Sequence, residues 1–86
     1  MEELGFITID RAEEIRHQYF YWESDDFLEV DFSKYDNSVS VEYYKSNHNG
    51  THNSYTLFSG TIVKELLILF LYEIIQRQDK ILKMVG

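Results

Sequence analysis

Leu28, Val30 and Phe32 alternate with Glu29, Asp31 and Ser33, the period of two expected of a strand with one buried face. Val39, Val41 and Tyr43 alternate in the same way with Ser38, Ser40 and Glu42. Between the two runs, Asp36-Asn37 suits the positive-φ positions of a type I′ turn. Such a turn sets Phe32 opposite Val41, Val30 opposite Tyr43 and Asp31 opposite Glu42, with the apolar side chains on one face. Asn49-Gly50 is a second hairpin signal. A tight turn there pairs Val41 with Phe58 and Tyr43 with Thr56, and sends Tyr55 and Leu57 outward. The wholly polar stretch from Asn47 to Asn53 favours instead a longer loop or a bulge, which flips the register beyond it. Strands are predicted at about 27–33, 38–45 and 54–59.

Beyond Gly60 the period changes to 3.6. Val63, Leu67, Phe70, Ile74 and Ile81 fall on one helical stripe, and Ile68, Leu71, Ile75 and Leu82 on a second. A helix is predicted at about 61–84, capped by Ser59 or Thr61. Its second stripe needs cover from an N-terminal helix or from another chain. Upstream, Gly5 to Ile9 is β-prone and reads as an extended arm or edge strand. Ala12, Ile15, Tyr19 and Trp22 then recur at helical spacing behind Asp10 and Glu13, a candidate capping box. This predicts a helix at about 11–22, although the aromatic run Tyr19-Phe20-Tyr21-Trp22 equally suits a strand. The expected fold is α+β, a single domain over residues 1–86. A three-stranded antiparallel sheet would be covered on one face by the long C-terminal helix and the shorter N-terminal one.

Composition narrows the class. With 86 residues, 44% apolar and 16% aromatic, the chain can build one core and is not compositionally disordered. It has no cysteine, so neither disulfides nor thiolate metal sites contribute. Met1-Glu2-Glu3-Leu4-Gly5 lacks the basic and apolar regions of a signal peptide. The apolar run from Leu66 to Tyr72 is far short of the roughly 18–20 residues of a membrane span. A soluble, cytoplasmic protein is expected. Phe, Tyr, Met, Ile, Asn and Lys total 32 residues against 8 for Gly, Ala, Arg and Pro, the bias of an AT-rich gene such as many bacteria and their phages carry.

The net charge of −7 is uneven. Residues 1–45 hold 12 acids against 4 bases, and residues 46–86 hold 3 against 4. Such a field repels nucleic acid and attracts a basic protein surface.

Candidate chemistry is sparse. His48 and His52 flank a turn with no cysteine to complete a zinc set, so no metal is expected. No cofactor fingerprint, P-loop or nucleophile motif occurs. Glu29, Asp31 and Glu42 lie on an open sheet face with no cleft to separate their pKa values, so no enzyme is expected either. That face, with Tyr44 among its carboxylates and Asp25 and Asp26 on its border, is the candidate partner-binding surface. Ile68, Leu71, Ile75 and Leu82 form the candidate oligomer interface. The expected function is a small acidic binding protein that occludes a basic, nucleic-acid-binding surface of another protein, as a phage or mobile-element inhibitor of host defence would. The alternatives are a homo-oligomeric accessory protein, with a homodimer as its simplest form, and a toxin-neutralising immunity protein.

Overall fold

The computed structural model describes residues 1–85. After a 3-10 turn at Glu2–Leu4, five strands follow: β1 (Ile7–Asp10), β2 (Glu14–Phe20), β3 (Phe27–Ser33), β4 (Ser38–Ser46) and β5 (His52–Thr61). All neighbouring strands are antiparallel, in the order β1-β2-β3-β4-β5. Two helices close the chain, α1 (Lys64–Gln76) and α2 (Gln78–Val85). The class is α+β, but the sheet has five strands rather than three, and the expected N-terminal helix is absent.

The correction has a physical basis. Ala12, Ile15, Tyr19 and Trp22 match helical spacing, yet the same segment also alternates. Ile15, His17 and Tyr19 share one face of β2, and Glu14, Arg16, Gln18 and Phe20 share the other. Strand pairing satisfies the backbone on both sides of β2, and the aromatic and β-branched side chains suit a pleated surface. Asp10 and Glu13 are therefore not a capping box. Asp10 ends β1 and Glu13 is the last residue of the three-residue hairpin loop, in which the Arg11 amide donates to the Glu14 carbonyl at 3.0 Å. Gly5 ends the preceding turn with φ 94°, a conformation natural to glycine. A Cβ there would meet the Tyr19 ring at 3.2 Å.

β3 pairs with β4 through Val30↔Val41 and Phe32↔Val39, two residues away from the type I′ register. The loop uses side chains in place of a tight turn. Ser33 Oγ accepts from the Tyr35 and Asp36 amides, and Asp36 Oδ1 accepts from the Ser38 amide. Because the shift is even, the apolar set stays on one face. Between β4 and β5, Val41 pairs with Phe58 and Glu42 with Thr56, leaving Leu57 as a bulge. Beyond it Tyr43 pairs with Tyr55, so Tyr55 faces inward with the core residues. The bulge lets adjacent Leu57 and Phe58 both pack on the core.

The C-terminal segment is two helices, not one. Val63 caps α1 without a side-chain bond, and Ser59 and Thr61 belong to β5. Arg77, at φ −123° and ψ 51°, breaks the helical path before α2. The core lies between the inner sheet face and these helices. It joins Leu28, Val30, Val39, Val41 and Tyr43 to Leu67, Leu71 and Ile81, with Phe6 and Tyr21 at one side. Full burial of each such side chain contributes about 1.5–3 kcal/mol. The Tyr21 hydroxyl also donates to the Ile74 carbonyl at 3.2 Å, tying the end of β2 to α1. Among the described residues no helix is long and apolar enough to cross a membrane.

Candidate functional site

With both helices on the inner side, the opposite sheet face is uncovered. The strand registers bring Glu14, Arg16 and Gln18 of β2 beside Asp31 and Glu29 of β3, with Ser40, Glu42 and Tyr44 of β4 next in line. Ile7 and Ile9 of β1 lie against Gln18 and Arg16 on the same face and are solvent-exposed.

Glu29, not Asp31, sits directly opposite Glu42, and Asp31 faces Ser40. Like charges so placed repel, and the neighbours relieve the cost. The Tyr44 hydroxyl lies 3.2 Å from Glu29 Oε2 and 3.1 Å from Glu42 Oε2, so its proton is shared between them. Gln18 Nε2 donates to Glu29 Oε1 at 2.9 Å, and Thr56 Oγ1 donates to Glu42 Oε1 at 3.4 Å. Arg16 centres the acid row. Its Nε and Nη2 meet both Asp31 oxygens at 2.8 and 3.3 Å, Nη2 reaches Glu14 at 3.4 Å, and Nε lies 3.3 Å from Glu29. The Asp31 hydrogen bond, working against burial, raises the pKa of Arg16. Burial, followed by the charge of Glu29, pushes the Tyr44 phenol well above its ordinary value, which keeps it a donor. Three carboxylates thus contact one guanidinium, with Glu42 beyond them on β4, and the face stays negative.

Of the expected partner-binding residues, the sheet face gathers Glu29, Asp31, Glu42 and Tyr44. Glu29 is only 6% exposed, which makes it a support for the others. Asp25 is exposed in the β2–β3 loop. Asp26 points inward and is 6% exposed, held by the Tyr43 hydroxyl and the Ser46 amide. It is not part of the surface. Glu14, Arg16 and Gln18 were missed because their segment was read as a helix, and Ile7 and Ile9, placed in an extended arm or edge strand, had no neighbour strand to set their face. The alternation of Glu14, Arg16 and Gln18 was the available signal.

The expected oligomer stripe is also redistributed. Leu71 is fully buried in the core, while Ile68, Ile75 and Leu82 are half-buried. Ile75 and Leu82 pack against the chain's own core. Among the described residues, Val63, Leu66, Leu69 and Tyr72, spaced three apart, are the exposed large apolar residues of this segment.

His52 Nε2 is 2.8 Å from the Asp25 carbonyl, and among the described residues no three His, Cys, Asp or Glu side chains converge as a metal would require. Comparison of the chain with protein-family models, with curated proteins and with solved structures gave no match in any of the three.

Proposed function

We propose that the chain is a non-enzymatic binding protein that docks its outer sheet face on a basic surface of another protein. One observation carries this reading. The uncovered face gathers Glu14, Glu29 and Asp31 around the cation Arg16, with Glu42 opposite Glu29 and exposed Ile7 and Ile9 alongside. Carboxylates in rows supply steering and specificity, and the apolar border supplies contact area. A groove built for nucleic-acid phosphates offers the complementary charge, so occlusion of such a groove is the natural consequence of docking. Small size, acidity and an amino-acid bias of the kind AT-rich genes encode favour an inhibitor carried by a phage or mobile element. An immunity protein against a basic toxin would use the same face.

The test is competitive capture from a lysate. The wild-type protein should retain basic nucleic-acid-binding proteins, and excess duplex DNA should displace them. The double variant Glu14→Lys/Glu42→Lys should retain none. These positions avoid buried Glu29, whose reversal would disturb the sheet itself. Capture indifferent to both DNA and charge reversal contradicts the reading.

A second reading rests on the exposed ridge Val63, Leu66, Leu69 and Tyr72 of the α1 segment. Apolar side chains left in solvent on the side of α1 away from the core suit a second copy of the chain. Sedimentation would then show a concentration-dependent dimer that Leu69→Lys abolishes.

A further inference from the structure

At the end of the sheet where β2 turns into β3, Trp22 is 97% exposed, and it is the chain's single tryptophan. It stands on the rim of an open hollow of about 680 Å³ lined also by Phe20, Asp25, Phe27, His48 and His52. The floor is rigid. The Phe27 ring is stacked on Tyr44 at 4.6 Å between centroids and 6° between planes, with Phe20 at 5.3 Å and the edge of His52 at 5.2 Å. The His52 bond to the Asp25 carbonyl fixes the loop that carries Asp25. Phe20, beside Phe27, is itself half exposed at 52%. The hollow therefore combines a held aromatic floor, a free indole on its rim and an exposed carboxylate, and Tyr44 joins it to the acidic face.

We propose that this hollow receives an arginine side chain of the basic partner. A guanidinium is planar, stacks on aromatic faces and pairs with a carboxylate in one geometry; the exposed rings of Trp22 and Phe20 offer the faces and Asp25 the carboxylate. An ammonium satisfies the carboxylate but cannot stack. A nucleobase could stack, but its phosphates would meet the acidic surroundings. Closing the indole over the guanidinium removes an exposed tryptophan from water, as at the centre of many protein interfaces. The inference rests on the reading of the chain as a binder of basic surfaces and adds the anchor residue.

Hexa-arginine, hexa-lysine and an oligothymidylate of six nucleotides are titrated against the wild-type protein, with Trp22 fluorescence and calorimetry as readouts. Hexa-arginine should shift Trp22 emission and bind about three- to ten-fold more tightly than hexa-lysine. That preference should vanish in Trp22→Ala and in Asp25→Asn, both exposed positions whose change leaves the fold intact. Glu42→Gln should weaken both peptides alike and keep the preference. Equal affinities for the two peptides, or a preference surviving in both hollow variants, overturn the arginine site. If Glu42→Gln still weakens peptide binding in that case, the sheet-face reading stands alone. Binding of neither peptide, or tighter binding of the oligonucleotide, overturns both.

Discussion

The Tyr43 hydroxyl donates a 2.5 Å hydrogen bond to Asp26 Oδ2 beneath the sheet. The other Asp26 oxygen accepts from the Ser46 amide at 2.8 Å, and Gln78 Nε2 donates to the Tyr43 oxygen at 2.9 Å. One buried carboxylate thus joins the β2–β3 loop to the end of β4, and through Gln78 to the first residue of α2. A buried charge is tolerable only when its oxygens are satisfied.

Replacing Asp26 by Ala leaves the Tyr43 hydroxyl and the Ser46 amide without their acceptor. The expected loss is about 2–4 kcal/mol, with Asp26→Asn losing less. Tyr43→Phe combined with Asp26→Ala should cost less than the sum of the single changes, because the two groups share one interaction. Urea unfolding of the four proteins measures the cycle.

Burial is the largest cause raising the phenol pKa of Tyr21, Tyr43 and Tyr44. A group whose folded pKa lies above its unfolded value stabilises fully below the unfolded value, about 10 for tyrosine. That stability is lost as pH rises beyond it. Unfolding should become easier above about pH 10. At about pH 11 the folded chain should show less tyrosinate absorbance at 295 nm than the urea-unfolded chain.

His17 gives the opposite sign at lower pH. Desolvation lowers its pKa, and the N-terminal charge adds to the effect. Its ring packs edge-on against Phe32 at 5.5 Å, with Nδ1 2.9 Å from Thr8 Oγ1. The unfolded chain binds this proton first, so stability present above the ordinary histidine value of 6.5 is lost as pH falls through it. The drop in urea midpoint between about pH 8 and pH 6 should be smaller in His17→Gln than in wild type.

Leu69 and Leu71 are two residues apart and differ in consequence. Leu71 is fully buried, while Leu69 is 64% exposed. Leu71→Ala should cost about 2–5 kcal/mol, and Leu69→Ala at low protein concentration should stay within about 0.5 kcal/mol of wild type. Thermal unfolding of the pair separates the core side of α1 from its free ridge.

The central hairpin was legible because its alternation is strict. β3 runs Phe27–Ser33, the predicted span. The register was misplaced by two because Ser33 and Asp36 close the loop with side-chain bonds, which a two-residue turn rule does not anticipate. The N-terminal hairpin was hidden by a coincidence of spacing, and polar His17 on the inner face weakened the alternation that would have exposed it. In the candidate site, Glu29, Asp31, Glu42 and Tyr44 could be placed on one face from parity alone. Asp25 and Asp26 are indistinguishable as sequence. They diverge because β3 starts at Phe27, whose outward side chain turns that of Asp26 toward Tyr43. Arg16 and Glu14 could not join the face while their segment was read as a helix.

The central claim is that the outer sheet face binds basic partners, and an NMR titration of the ¹⁵N-labelled protein with hexa-lysine tests it most directly. At low ionic strength the perturbed amides should cluster at Arg16, Gln18, Glu29, Asp31, Glu42 and Tyr44, and the shifts should fade as salt is added. Perturbations confined to the α1 ridge, or shifts at the sheet that ignore salt, would contradict it.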